Sequence, residues 1–165
     1  MNAIVIMTLK EILLKGQILD LMLNGKHNTD RWRTSGKATY AVAKTLKILK
    51  DESKPIEETL NKLLPNTRAK AEPISKKLIE LSKSELKGNS SPENLQRLGE
   101  IKALEKELKN IEEFYSDENK EASTFLETTK EVSVYLCSIE EISKVPLTGS
   151  EMNNLLFMIS ESESN

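Results

Sequence analysis

Two apolar stripes with heptad spacing constrain the fold of this chain more than any other feature of its sequence. The first comprises Val42, Leu46, Leu49, Ser53, Ile56, Leu60 and Leu63, and the second comprises Ile101, Leu104, Leu108, Ile111 and Tyr115. Steps of three and four residues place each stripe on one side of a helix, and an apolar helix face requires a partner surface. We therefore expect a mainly α fold: a long antiparallel helical bundle or hairpin with coiled-coil-like packing, in which the two stripes face each other.

The length and composition of the chain are typical of one helix-rich domain. Its 165 residues are 38% hydrophobic and 30% charged, and a chain of this length buries a substantial core. Aromatic residues make up only 4%, so we expect a core of mainly Leu and Ile. We predict a single domain over 1–165. Its five segments are an apolar N-terminal segment 1–25, a basic loop 26–36, a helical bundle 37–126, a strand plus short helix 130–160, and a frayed tail 161–165.

Local signals predict where two of the helices begin. Thr8 and Glu11 have the spacing of a capping box, and Gly25 predicts the end of the helix that follows. Thr148 and Glu151 have the same spacing and predict a short C-terminal helix, with Leu155 and Ile159 on its apolar side.

Three prolines indicate where the helices between these two ends bend, end or begin. Pro55 lies inside the first stripe, whose phase continues across it, and this favours a kinked but continuous helix. Pro65 predicts a turn, and a third helix is expected over about 68–87. Pro92 predicts the first turn of a fourth helix, which carries the second stripe.

One segment near the C-terminus has the alternation of a strand. Over 131–137, the apolar residues Val132, Val134 and Leu136 alternate with mostly polar ones, which predicts a half-buried strand. Because one strand is not stable alone, it needs a partner, and the best candidate is the β-branched segment 4–6. We therefore expect a small two-stranded β element that joins the N- and C-terminal segments.

Residues suited to catalysis or metal binding are scarce. His27 is the only histidine and Cys137 the only cysteine, and no segment has the spacing of metal ligands. We therefore expect no enzyme activity, no cofactor and no metal. No apolar run approaches the roughly 18 residues that span a bilayer, so no membrane partner is expected. The cysteine count is typical of a reducing compartment such as cytoplasm.

Charge is distributed unevenly along the chain. Residues 1–50 carry nine Lys and Arg against three acidic residues, whereas residues 91–165 carry seven against sixteen. We expect these regions to neutralise each other, within one chain or between copies.

The basic loop contains the candidate interaction residues. Cations around the only tryptophan can hold phosphate while the ring stacks on a base, which suggests nucleic acid as a partner. Two alternatives remain open: the tryptophan anchors the loop on the bundle while the cations are solvated, or the loop contacts the acidic region of another copy. The candidate residues are Lys26, Arg31, Trp32, Arg33 and Lys37.

Two stretches of the chain carry a family resemblance. In Gly36–Leu49 a basic and apolar helix leads towards an acidic stretch at 56–58, and in 132–148 a strand and an apolar linker precede a short helix. In these stretches the chain resembles small uncharacterised helical proteins encoded by tailed bacteriophages. It departs from them in a long insertion at 68–91 and in the loop 31–33. The resemblance implies a viral origin and a non-enzymatic accessory role, and it supplies no functional residues.

These features predict a non-catalytic protein–protein interaction protein, a phage accessory protein that acts in virion assembly or structure. The alternatives are a phage inhibitor that binds a host defence protein, and a nucleic-acid-binding protein that uses the Arg31-Trp32-Arg33 loop. A homo-oligomer is expected, because the helix over 9–23 has more apolar surface than one face can bury. The expected location is the bacterial host cytoplasm or the virion.

Overall fold

A computed structural model describes residues 2–25, 30–83 and 92–160 of the chain. Its helices are α1 (Leu9–Asn24), α2 (Gly36–Leu63), α3 (Pro65–Lys83), α4 (Pro92–Phe114), α5 (Ser116–Leu126), α6 (Ile139–Ile142) and α7 (Gly149–Leu155). Its strands are β1 (Asn2–Thr8), β2 (Thr129–Tyr135), β3 (Cys137–Ser138) and β4 (Ile159–Ser160), and short 3₁₀ helices cover Arg31–Thr34 and Leu156–Met158. The mainly helical class with a small two-stranded element at the two ends of the chain is confirmed.

The chain forms two compact units. The first combines Met1–Glu57 with Phe125–Asn165, and the second is the continuous stretch Glu58–Thr124. The predicted bundle segment 37–126 is therefore shared between the two units. The tail predicted over 161–165 lies outside the described residues.

β1 and β2 form the antiparallel pair that the sequence predicts. Val5 lies opposite Val132, and Ile4 lies opposite Ser133. Val132 and Val134 are buried on the inner face of the sheet, whereas Ile4 is exposed on the outer face. Alternation along the strand thus separates a buried face from an open one.

The predicted strand over 131–137 differs from the structure at both ends, because β2 covers Thr129–Tyr135. Cys137 instead begins β3, which pairs in parallel with β4, with Cys137 opposite Ile159. The sequence predicts Ile159 on the apolar side of a helix. Strands of two residues are too short to show any alternation, so periodicity does not reveal this second pair.

α1 begins and ends where the sequence predicts. The Thr8 backbone N–H donates to Glu11 Oε2 at 2.8 Å, and the Glu11 N–H donates to Thr8 Oγ1 at 3.1 Å. Gly25 caps the C-terminal end of the helix. The second predicted capping box, formed by Thr148 and Glu151, is also present and begins α7.

α1 approaches α2 closely at Gly16, which lies on the buried face of α1. A Cβ atom placed on Gly16 would lie 3.7 Å from Leu49 Cβ, so the glycine marks a close approach of the two helices. Burial recurs every three or four positions, as expected of a helix with one face in the core. The buried α1 residues are Leu9, Ile12, Gly16, Leu19 and Met22.

α2 is continuous across Pro55, as the sequence predicts. It is capped by Ser35, whose Oγ accepts a hydrogen bond from the Ala38 N–H at 3.2 Å. The first stripe lies on the buried side of this helix, and its buried members are Val42, Leu46, Leu49, Ile56 and Leu60.

In the second unit α3 and α4 pack against each other. The sequence predicts that the first stripe covers α4, but the helix that packs on α4 within its own unit is α3. Leu104 is the buried stripe residue of α4, and Leu108 is half-buried. A heptad stripe specifies which face of a helix is buried and leaves open which helix covers it.

α5 holds the start of α3 through one carboxylate. Glu118 Oε2 accepts from the Thr67 N–H at 3.0 Å and from the Thr67 hydroxyl at 2.9 Å, and Glu118 Oε1 accepts from the Asn66 side-chain amide at 2.7 Å. Pro65, where the sequence predicts a turn, is the first residue of α3, a position that proline favours.

Candidate interaction surfaces

The predicted basic loop is tied to the first unit by its tryptophan. Trp32 is 2% exposed, and its indole Nε1–H donates to the Met22 carbonyl oxygen at 2.7 Å. The Thr39 hydroxyl donates to the Trp32 carbonyl oxygen at 2.5 Å. Trp32 therefore anchors the loop to the end of α1 and the start of α2, and neither face of its ring is open to a stacking partner.

Arg31 is also held by a contact within the first unit. Its Nη1 and Nη2 donate to Glu151 Oε2 at 3.1 Å and Oε1 at 2.5 Å, which is the two-pronged geometry of a strong arginine–carboxylate pair. The hydrogen bonds from Arg31, and then from the Thr148 backbone, lower the pKa of Glu151 to about 2. The pair joins the loop to the first turn of α7.

The other cations of the predicted site have different surroundings. Arg33 is largely exposed, and in the described part of the chain its ion pair is with Asp30, with 3.2 Å between Arg33 Nη1 and Asp30 Oδ1. Lys37 is exposed at the start of α2. Lys26 lies outside the described residues. An interaction role therefore stays a prediction for Arg33 and Lys37, whereas Arg31 and Trp32 are engaged within the protein.

Among the residues that the structure describes, one ion pair joins the basic and acidic regions of the sequence inside the first unit, that of Arg31 with Glu151. Beside it, the Ser35 hydroxyl donates to Glu141 Oε2 at 2.7 Å, and Lys144 Nζ, from the acidic region itself, donates to Glu141 Oε1 at 2.6 Å. The hydrogen bonds from Lys144 and then Ser35 lower the pKa of Glu141. Neutralisation within one chain therefore occurs at Arg31, while neutralisation between copies stays a prediction for the other charges.

The second unit exposes an aromatic surface that the sequence does not single out. Phe114, at the end of α4, is 80% exposed and lies edge-on to Tyr115, with 4.9 Å between the ring centroids. Beside them is a shallow hollow of about 290 Å³, which we call the Phe114 hollow. It is lined by Lys70, Glu107, Asn110, Ile111, Phe114 and Tyr115.

The heptad pattern contains a faint signal of this surface. The second stripe continues from Ile111 to Tyr115 and leaves Phe114 out of phase. Neighbouring helix residues point about 100° apart, so two adjacent aromatic rings do not both enter one buried stripe. A phenylalanine beside a stripe is therefore a candidate for exposure.

A cleft of about 300 Å³ lies between α1 and α2 in the first unit. Two of its charged groups already bind each other, since Lys50 Nζ donates to Asp20 Oδ1 at 2.7 Å. The side-chain amide of Asn24 donates to the same Asp20 oxygen at 2.8 Å. The hydrogen bonds from Lys50 and then Asn24 lower the pKa of Asp20. The cleft therefore offers an incoming ligand few unpaired charges.

Over 2–25, 30–83 and 92–160, no group of three or more His, Cys, Asp or Glu side chains is placed to hold a metal ion. In the same ranges, no helix combines the length and apolar character needed to cross a bilayer. Cys137 is buried, and burial followed by the charge of Glu141 raises the pKa of its thiol.

Comparison with protein-family models, curated proteins and solved structures gives no match to this chain. The bacteriophage origin therefore remains an expectation from the sequence. The choice between candidate functions rests on the chemistry of the surfaces described above.

Proposed function

We propose that this chain is a non-catalytic protein that acts by binding another protein through the Phe114 hollow. The exposed ring of Phe114 is the observation that carries the proposal. From the resemblance of the sequence, we place this role in an accessory protein of a tailed bacteriophage, acting in virion assembly or structure.

The exposure of Phe114 is costly to a chain with so few aromatic residues. The protein has three Phe among 165 residues, and burying such a side chain stabilises a fold by roughly 1.5–3 kcal/mol. At 80% exposure, Phe114 contributes little of this energy to folding. Aromatic residues, phenylalanine among them, are enriched in protein–protein interfaces relative to the rest of the surface.

The surroundings of Phe114 resemble a small binding interface. Among the residues that line the hollow, Ile111 and Tyr115 are half-buried, whereas Lys70 and Glu107 are exposed and charged. An apolar centre with a polar rim is the usual arrangement of protein–protein contacts. The occupant that fits is an apolar side chain of a partner protein, with polar groups on either side.

The nucleic-acid alternative has less support. Stacking on a base needs an open ring, and Trp32 is buried, while the guanidinium of Arg31 is taken by Glu151. Among the candidate residues that the structure describes, Arg33 and Lys37 remain as exposed cations, and phosphate contacts from so few cations supply little affinity at physiological salt.

The test is capture of partners from infected bacterial cells by the tagged full-length chain. The variants are Phe114→Ser and a control, Leu95→Ser, which removes another exposed apolar side chain of α4. We expect the wild type and the control to retain the same protein, and Phe114→Ser to lose it. Retention of that protein by Phe114→Ser, or no specific protein with the wild type, contradicts the proposal. A virion protein as the captured partner supports assembly, whereas a host protein supports the inhibitor alternative.

A further inference from the structure

The hydrogen bonds of β1 determine which of its backbone groups point out of the sheet. The Leu9 N–H donates to the Thr128 carbonyl oxygen at 2.9 Å, one residue beyond the pair of Thr8 and Thr129. In an antiparallel ladder, hydrogen-bonded and non-hydrogen-bonded pairs alternate. The odd-numbered residues of β1 therefore bond to β2, and the N–H and C=O groups of the even-numbered residues point towards the opposite edge.

Two further hydrogen bonds agree with this assignment. The N–H of Thr8, an even-numbered residue, donates to Glu11 rather than to β2. Tyr135, which lies opposite Asn2, donates its N–H away from β1 to Thr45 Oγ1 on α2 at 2.9 Å. The outer edge of β2 thus meets α2 at Tyr135.

Over the described residues the sheet has only the strands β1 and β2, so the outer edge of β1 pairs with no other strand. On the outer face of the sheet, Ile4 is 70% exposed and Ile6 is 68% exposed. In the part of the chain that the structure describes, neither residue has a hydrogen bond to a group outside the β1–β2 pair. β1 contains no charged residue and no proline, which are the devices that proteins use to protect an exposed strand edge.

We propose that this edge pairs with β1 of a second copy, which joins two β1–β2 pairs into one four-stranded antiparallel sheet across a two-fold axis. An uncharged strand meets its own copy without repulsion between like charges. Because a two-fold axis relates the two copies, each copy presents the same row of outward N–H and C=O groups to the other. The proposal goes beyond the partner binding proposed above, because β1 and the Phe114 hollow share no residue.

The side chains select one register. When Ile4 lies opposite Ile6 of the second copy, the two-fold axis also places Ile6 opposite Ile4 of that copy. Each of these two pairs exchanges two backbone hydrogen bonds, which gives four in total. Directly opposed residues point to the same face of a sheet, so the four exposed isoleucines form one cluster. Two neighbouring registers keep the same hydrogen-bonding pattern. The register with Ile6 opposite Ile6 of the second copy would place Ile4 opposite Thr8, whose N–H is already bonded to Glu11. The register with Ile4 opposite Ile4 would place Ile6 opposite the polar Asn2.

The first test measures the mass of the full chain in solution by sedimentation equilibrium at tens of micromolar. We expect about twice the chain mass of 18.6 kDa. The double variant Ile4→Lys/Ile6→Lys places charges on the edge, so we expect it to be monomeric. Both side chains are exposed, so its circular dichroism and Trp32 fluorescence should match those of the wild type. A monomeric wild type, or a dimeric variant, overturns the proposal.

A matched control separates this edge from the apolar surface of α1. Leu14 and Leu21 are exposed on α1, two helical turns apart. The variant Leu14→Lys/Leu21→Lys adds the same charge to the same unit and should remain dimeric. A monomeric control shows that α1 supports the dimer and overturns the assignment to β1.

A cross-link tests the register independently of any charge. In the proposed pairing Val5 lies opposite Val5 of the second copy, with about 4.5 Å between Cα atoms, which a disulfide spans. Ala3 lies four residues along the strand from its own copy, a distance of about 14 Å at a rise of about 3.4 Å per residue. We expect Val5→Cys to form a covalent dimer under mild oxidation and Ala3→Cys to remain monomeric on a denaturing gel. Both retain the buried Cys137. Equal cross-linking of the two, or none by Val5→Cys, overturns the register.

Discussion

Neutralising Glu151 should weaken the first unit in a pH-dependent manner. The substitution Glu151→Gln removes the charge that faces Arg31 but keeps a side chain that can still complete the capping box. A tenfold change in proton affinity corresponds to about 1.4 kcal/mol. A pKa that falls from 4.5 to about 2 on folding therefore sets an upper limit of about 3 kcal/mol on the contribution of the carboxylate.

Partial exposure lowers this limit. The side chains of Arg31 and Glu151 are 17% and 23% exposed, so water screens part of their attraction. We expect Glu151→Gln to lower the free energy of unfolding by about 1–2 kcal/mol at pH 7. Because the pKa of Glu151 is lower in the folded state, its stabilisation is complete above the ordinary value of 4.5 and is lost as the pH falls from there towards 2.

The assay is urea unfolding followed by the fluorescence of Trp32, the only tryptophan, which is buried in the same unit. The difference between wild type and Glu151→Gln should be constant from pH 7 to about 5.5 and should shrink markedly by pH 3. Glu140→Gln, at an exposed carboxylate on α6, serves as the control and should differ little from wild type. A difference for Glu151→Gln that is absent at pH 7, or that does not change between pH 7 and pH 3, refutes the reasoning.

Two further predictions concern the packing of the first unit. Trp32→Phe removes the hydrogen bond to the Met22 carbonyl, and we expect a loss of about 1–3 kcal/mol in unfolding free energy, measured by urea unfolding with circular dichroism. Unchanged stability would show that the bond contributes nothing. Gly16→Ala places a methyl group at ordinary contact distance from Leu49 and raises helix propensity, so it should stabilise the protein by about 0.5–1 kcal/mol, whereas Gly16→Leu should destabilise it by crowding α2. A lower melting temperature for Gly16→Ala would contradict this account.

Local signals in the sequence predict the local structure well. The capping boxes at Thr8 and Thr148 depend on residues three positions apart, and both are present. The buried positions Val132 and Val134 follow from alternation over one strand. Each of these features is determined by neighbours in the chain, so no knowledge of distant contacts is needed.

Features that depend on distant contacts are less accessible from the sequence. The stripe on α4 reveals a buried face, but the choice of α3 as its partner is a matter of tertiary packing. Likewise, the sequence around Trp32 is typical of a binding loop. The structure shows instead that Trp32 donates to the Met22 carbonyl oxygen and that Arg31 donates to Glu151. Sequence reasoning leaves the anchoring alternative open, and only the fold shows how Arg31 and Trp32 are engaged.

The pairing of β1 with β2 affects the order in which this protein folds during synthesis. Thr8 pairs with Thr129, so β1 leaves the ribosome about 120 residues before its partner strand. The whole second unit, Glu58–Thr124, is synthesised in that interval, and its α3 and α4 are near neighbours in the chain. Helical pairs with such local contacts form quickly, whereas closing a loop of this length is slow. We therefore expect the second unit to fold first. Until β2 is synthesised, both edges of β1 stay unpaired, and we expect chaperones or a low concentration of nascent chains to be needed to prevent β1 from pairing with strands of other chains.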